Sequence, residues 1–340
     1  MYVIKARNAN DALGKGIKLI KEEGEYVHSR AGETLEVPYP VTTTYSRPWE
    51  RVLISKVRDA NPFFHLMEAM WILAGRADVK FLCEFNKRMV EYSDGGDIFN
   101  APYGYRLRNG SSRYNEHDQL TTIIETLKHD PNSRQAVCQI WDEEDLHRFT
   151  NDKACNMSLV FRIREGKLCL TVYNRSNDMI WGAYGANVVQ FSMIQEYVAA
   201  HLGCAIGEYN QVSNSYHVYT EGAGGEVWDR LKEDYDSDLY LHDSIIHDSV
   251  YMEPHDMSDF EHDIRLFFNC YDEFGLDEIG ELLSWKSSYF QDLILPVLCV
   301  YLIHKKAGAE KALYNTKYIV ADDWRIACQD WLSNRLGGDK

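Results

Sequence analysis

Of the eight cysteines in the chain, Cys155 keeps the company that chemistry needs. It lies in DKACNMSLVF, where Asp152 and Lys153 precede a strand pattern, so its thiol is expected at a strand start near solvent. The other cysteines read as interior, most of them inside apolar runs such as LPVLCVYLI. No CxxC or Cys/His ligand spacing occurs, which argues against a disulfide framework and against a metal site. A cysteine taken alone is usually inert packing; the residues downstream of Cys155 change that balance. The stretch YNRSNDMIWGAYGAN places Arg175, Ser176, Asp178, Gly182 and Asn187 on one loop running into a helix. An arginine beside a hydroxyl suits a phosphate, and an asparagine amide can read a pyrimidine edge, although RSND alone would be a solvated turn with a cap. Farther on, SYHVY sets His217 and Tyr219 two apart on a strand, hence on one face, where both can hydrogen-bond a sugar hydroxyl; ordinary strand packing is the alternative.

These residues need a frame, and the apolar patterning supplies one. NANDALGKGIKLIKEEG has helical spacing and stops at Gly24, and SRAGETLEVPYPVTTTYSRP reads as strands. From Pro62, PFFHLMEAMWILAG is a buried helix ended by Gly75, carrying the acid Glu68 in its apolar stretch; such a carboxyl either has a raised pKa or pairs with an arginine. RQAVCQIW is a strand, and CNMSLVFRIREGKLCLTVYNRS folds back at Glu165-Gly166 as a hairpin. NVVQFSMIQEYVAAHLG is a helix with its stop at Gly203, and EYNQVSNSYHVY a further strand. Beyond about residue 222 an acidic linker (EDYDSD, HDS, HDMSDFEHD) leads into helical patterns through LFFNCYDEF, YFQDLILPVLCVYLIHKK and DDWRIACQDWLSNRL. The expected architecture is α/β of the α+β type, a mixed sheet with long helices.

Composition narrows the function classes. A chain of 340 residues that is 45% hydrophobic can bury one large core, and a net charge of −16 excludes a general nucleic-acid surface. An anionic substrate would have to be caught by a few local arginines. Met1 to Asn10 has no apolar h-region and no later stretch is long enough to span a bilayer, so a cytoplasmic protein without membrane contact is expected.

Taken together, Cys155, RSxDxxxG from Arg175 to Gly182, Asn187, and HxY at His217 and Tyr219 resemble the thymidylate synthase signature in order and nearly in spacing. RAGET resembles that family's phosphate-binding loop with Arg30, EAMW its helix with the catalytic glutamate at Glu68, APYG its tyrosine loop at Tyr103, and DPNSR the segment whose Arg134 is lent to a neighbouring subunit. The likeness covers roughly residues 10 to 220. It implies a thymidylate synthase-like domain over 1–222 with a mostly helical extension over 223–340, a homodimer, and 5,10-methylenetetrahydrofolate as co-substrate without a metal. Cys155 would add to C6 of a pyrimidine deoxynucleoside monophosphate and make C5 nucleophilic. Arg175, Ser176, Arg30 and Arg134 would hold the phosphate, and Asn187 with waters held by Glu68 would stabilise charge at C4. Asp178, with Gly182, would hold the folate.

The departures from that family bear on the product. Asn156 replaces histidine, Asn174 replaces glutamine, and Gln135 replaces the second of two paired arginines. The loop from Arg175 to Asn187 is one residue longer, so Asn187 reads the base only if the insertion lies in AYGA. FNKRMVEYSDGGDIFN lacks the tryptophans that stack near folate, and LGGDK lacks the apolar tail that closes over it, which favours capture of the methylene by water. RSND and Ser215 are also similar to phage deoxycytidylate hydroxymethylases, but those carry an acid at the Asn187 position, and an amide suits uracil. Hydroxymethylation of dUMP therefore stands slightly ahead of methylation to dTMP. A dCMP hydroxymethylase and a catalytically silent nucleotide-binding homologue are the alternatives.

Overall fold

In the computed structural model, which describes residues 1–29, 31–110, 117–233, 249–279 and 284–336, the chain opens with β1 (Tyr2–Ala6) and α1 (Ala9–Glu23). Asn8 caps α1 by accepting from the Asp11 amide. Next come β2 (Glu25–Ser29), β3 (Gly32–Val37), β4 (Val41–Tyr45), α2 (Pro62–Leu73), α3 (Val79–Phe85), a 3-10 turn at Lys87–Tyr92, α4 (Tyr103–Asn109) and α5 (Gln119–His129). The middle holds β5 (Val137–Gln139), α6 (Glu144–His147), β6 (Asn156–Arg164), β7 (Lys167–Asn174), β8 (Asn177–Asp178), a π-helix at Met179–Ala186, α7 (Asn187–Leu202), β9 (Ala205–Ser213), β10 (Tyr216–Tyr219) and α8 (Gly222–Glu233). The last part is helical: α9 (Met257–Phe274), α10 (Leu295–Ala307), α11 (Ala309–Asn315) and α12 (Asp322–Ser333).

The strands form a six-stranded mixed sheet, ordered β1-β4-β9-β7-β6-β5, and a four-stranded sheet, β2-β3-β10-β8. The expected hairpin is β6 and β7, turning at Glu165 (φ 50°) and Gly166 (φ 74°), the left-handed pair that a two-residue turn demands. Alternation then sorts the faces. Leu159, Phe161, Leu170 and Val172 are fully buried on the side covered by α7, while Val137 and Tyr173 on the other side are 46% and 43% exposed.

Three readings change. EYNQVSNSYHVY is two strands in different sheets, β9 and β10, because the chain crosses over at Asn214–Ser215, whose amides bond the carbonyls of Asn174 and Arg175. β2 carries no apolar alternation and lies on the surface, so nothing in its sequence announced it. HDMSDFEHD is not linker but the start of α9: Asp256 accepts from the Ser287 and Ser288 hydroxyls, and Asp263 from the Lys286 and Ser287 amides. Those acids are buried anchors. Most of the remaining acidic stretch lies outside the described residues.

α2 is the central element. Asn61 caps it by accepting from the Phe64 amide, Pro62 starts it, and all twelve of its residues are buried. Its back is covered by the C-terminal helices: the Phe63 ring meets Tyr301 and Trp331, each at 5.3 Å, and Phe81 of the neighbouring α3 meets Phe267, Phe268 and Tyr271. On α7, Glu196 pairs with Arg51 and accepts from the Met252 amide. One hydrophobic cluster thus runs through both parts of the chain.

Candidate active site

Cys155 stands immediately before β6, partly exposed, on a loop that Arg175 holds from the adjacent strand end. The Arg175 guanidinium donates to the carbonyls of Ala154 (2.8 Å) and Lys153 (3.0 Å) and lies 3.6 Å from the Cys155 sulfur. Trp141 packs under it, 5.6 Å from ring centre to guanidinium carbon. A fixed cation beside a thiol favours the thiolate. By contrast, burial pushes the thiol of Cys138 up to about 12 and that of Cys328 well above its ordinary value. The expectation that all other cysteines are interior fails at Cys299, which is exposed because it sits on the outer side of α10.

The sulfur opens onto a cleft of about 560 Å³, ample for a small-molecule site. Glu68, Tyr103, Arg175, Asn187 and Tyr219 line it together with Cys155. Pro102 delivers Tyr103 at the start of α4, where the phenol oxygen accepts from the Cys155 amide at 3.3 Å and the ring stacks on Phe191. Glu68 faces the cleft from α2. No arginine pairs with it among the described residues; burial pushes its carboxyl up to about 7, against a hydrogen bond from Gln190 that pulls it down.

Asn187 reaches the cleft through the π-helix. Each i→i+5 turn takes up one more residue than an α-turn does, so the longer loop still delivers Asn187 at the first position of α7, on the cleft wall. Its orientation is set by a relay of amides. Asn177 donates to the Gln211 side-chain oxygen and the Ser213 hydroxyl, both at 2.9 Å, which leaves its own oxygen to accept from the Asn187 amide at 3.0 Å. Gly182 has no side chain because a Cβ there would lie 2.9 Å from that Asn177 oxygen.

Other expected residues stand back from the lining. Ser176 and His217 are not part of it. His217 is held by Ser215 at 3.2 Å and meets the Tyr219 ring edge-on at 5.4 Å; burial lowers it to about 4, so it is neutral through the physiological range. Asp178 caps the π-helix by accepting from the Trp181 amide, and burial raises it to about 6 with its second oxygen left without a hydrogen-bond partner. Arg30 lies outside the described residues, although its neighbour Ala31 lines the cleft. Arg134 is exposed and precedes β5, which runs antiparallel to β6, so it lies on the order of 20 Å from Cys155 of its own chain.

The sequence assigned no role to Trp71, Ile72, Leu82, Met89 and Phe99, which form an apolar wall, or to Tyr92 at the mouth, although Trp71 lies in EAMW and Met89, Tyr92 and Phe99 lie in FNKRMVEYSDGGDIFN. Gln190 was also missed, though it lies one turn along α7 from Asn187 and shares its face. Lys153 lines both the cleft and an adjoining groove with Arg148 and Arg175.

The thymidylate synthase family matches residues 15–260. The chain belongs to that family. Among its relatives, a protein of Pseudomonas phage M6 named deoxyuridylate hydroxymethyltransferase is 35% identical over 98% of this chain and 95% of its own length. One of the same name from Bacillus phage SP01 is 40% identical over 70% of this chain and 64% of its own. A putative thymidylate synthase of Methanosarcina acetivorans is 30% identical over 64% and 89% respectively. As a thymidylate synthase-family protein, the chain has the expected mixed α/β fold. Among the described residues no helix is long and apolar enough to cross a membrane.

Proposed function

We propose that this chain is a folate-dependent transferase that hydroxymethylates C5 of deoxyuridylate, in the cytoplasm, with 5,10-methylenetetrahydrofolate as co-substrate. The observation that carries the reading is the convergence of the Cys155 sulfur, the Arg175 guanidinium 3.6 Å from it, and the oriented Asn187 amide on one cleft. Cys155 adds to C6 as thiolate, and the released electron pair makes C5 nucleophilic. Asn187 gives one N–H to Asn177 and keeps the other for O4, while its oxygen accepts from N3–H; that pattern fits uracil and mismatches cytosine. Glu68, poised near neutral pH, moves protons at the C4 edge and through water, and Tyr103 holds the Cys155 loop.

Arg175 and Lys153, which line the cleft, hold the phosphate together with Ser176 and Arg30, Lys153 offsetting Gln135, and Tyr219 holds the sugar with His217, which stands behind the lining. The apolar wall from Trp71 to Phe99 fits a flat folate ring, and Asp178, set behind that lining with one buried oxygen unpartnered, is the acceptor for its N–H groups, with Gly182 nearby. When bound, the folate supplies the one-carbon unit. Arg134, too far from its own cleft, serves a second copy docked on the exposed sheet face, and α10 and α12 of the 223–340 extension buttress α2 through Tyr301 and Trp331. Mixing Arg134→Ala and Cys155→Ala proteins should then restore turnover, and failure to do so would remove the shared site.

The hydroxymethyl outcome is supported by the names of the two phage relatives and by the exposed Tyr92 at the cleft mouth. Mass spectrometry of products from dUMP, dCMP and methylenetetrahydrofolate tests it. The expected product is dUMP heavier by CH₂O, without the absorbance rise of dihydrofolate. Product from dCMP alone would overturn the base assignment, and dTMP the outcome.

A further inference from the structure

Two buried oxygens face the cleft without a hydrogen-bond partner in the protein: Glu68 Oε2 and Gln190 Oε1. Their residues are 8% and 5% exposed, and the Gln190 amide acts on the Glu68 carboxyl as a hydrogen-bond donor, so the two side chains are neighbours. Buried acceptors of this kind are costly unless something donates to them. A water has two O–H donors, and the two oxygens are two acceptors. Gln190 lies about 4.5 Å along α7 from Asn187, which holds C4, and C5 adjoins C4 on the ring. Around them the wall is apolar, with Trp71, Ile72 and Phe99 offering no competing oxygen to a water on that side.

We propose that Gln190 is a positioning residue that, with Glu68, holds the water that becomes the hydroxyl of the product. The inference rests on the function proposed above. After the carbon has passed to C5 and the folate has departed, the pyrimidine carries an exocyclic C5=CH₂ and a C6–S bond to Cys155. The held water forms a C–O bond to the CH₂ and gives its proton to the Glu68 carboxylate. The C5=CH₂ pair moves to C5–C4, giving the O4 enolate, which Asn187 stabilises. The enolate then re-forms C4=O, its pair makes C5=C6, and the sulfur leaves C6 as thiolate. No oxidant or reductant enters.

The test is the fate of the methylene in Gln190→Met, which keeps the length of the side chain and removes the oxygen. Tritium release from 5-tritiated dUMP counts methylene transfers, and mass spectrometry in the presence of 2-mercaptoethanol counts what captures the carbon. The ratio of hydroxymethyl product to tritium released should fall at least about tenfold in Gln190→Met, with the thiol adduct making up the difference. Gln190→Glu, which keeps an oxygen at that reach, should restore it. An unchanged ratio in Gln190→Met overturns the proposal. A crystal structure of the unmutated protein with dUMP gives a second reading, independent of the variants: one water bonded to both oxygens is expected, and nucleotide or protein atoms in its place overturn the proposal. Absence of tritium release from dUMP with the unmutated protein would instead remove the substrate assignment.

Discussion

The two ends of the cleft are built by different physics. At the nucleotide end, direction is fixed by hydrogen bonds: Arg175 grips the Lys153 and Ala154 carbonyls, Tyr103 takes the Cys155 amide, and Gln211, Ser213 and Asn177 orient Asn187. At the end proposed for folate, Ile72, Leu82, Met89 and Phe99 are placed by packing, and Trp71 by packing and an indole N–H that donates to Asp78, beside a 3-10 turn whose Val90 and Tyr92 are 52% and 50% exposed. Hydrogen bonds set angles, whereas packing sets shape and the access of water. On the proposed function, the first end would select which base reacts and at which atom, and the second what captures the transferred carbon.

The contrast breaks first at Cys155. Cys155→Ala should lower tritium release from labelled dUMP by about 10⁴-fold or more while leaving nucleotide binding measurable by calorimetry. Residual turnover within tenfold of the parent would remove the sulfur from the mechanism. Glu68→Gln should cost roughly 10²–10³-fold. It should also change how stability depends on pH. The folded protein holds the Glu68 proton more tightly than the unfolded chain does, so the stability it contributes is present below the ordinary carboxylate range and lost as pH rises through about 7. Urea titrations across that window should show up to about 3 kcal/mol more loss in the parent than in Glu68→Gln. Equal slopes in the two proteins would mean the carboxyl is not held neutral.

Asn187→Asp should have a smaller effect and a more selective one. The Asn177 oxygen can only accept, because its amide nitrogen is spent on Gln211 and Ser213, so an acid at 187 must keep its proton to face it. With that proton spent on Asn177, the acid's other oxygen can accept from the N4 amino group of cytosine and has nothing to donate to O4 of uracil. Turnover of dUMP should fall by about 10²-fold and that of dCMP should rise, measured by competition between the two nucleotides. Loss of both activities equally would show that the relay fixes the fold of the π-helix rather than the base.

Legibility in the sequence divides along the same line. Residues that act through directed bonds come in spaced groups, and Cys155, Arg175, Asn187 and Tyr219 could be named before their cleft was seen. Met89 and Phe99 could not, since an apolar side chain in a cleft wall has the same signature as one in the core. Gln190 was within reach, because a polar residue one turn from Asn187 in an otherwise apolar helix calls for a reason. Asn156 and Asn174 looked like two unrelated departures from the family pattern; they face each other across β6 and β7, and the Asn156 amide donates to the Asn174 oxygen. A pair of changes that meet in space is one change, and only the strand register shows it. The turn of β9 into β10 was hidden for a similar reason: no Gly or Pro marks the break at Asn214–Ser215, where the chain passes from one sheet to the other.

The smallest expected effect tests the folate end by itself. Tyr92 sits at the mouth on the 3-10 turn, half exposed, where a larger ring would cover more of the opening without touching the hydrogen bonds around Cys155. Tyr92→Trp should therefore leave tritium release within about threefold of the parent and lower the share of hydroxymethyl product by less than about tenfold, with dTMP and dihydrofolate absorbance taking up the difference. The direction matters more than the size, because excluding water lengthens the life of the methylene until hydride reaches it. If Tyr92→Trp stopped tritium release altogether, the mouth would be taking part in the addition at C6, and the separation of base chemistry from product choice would fail at a residue outside the hydrogen bonds around the sulfur.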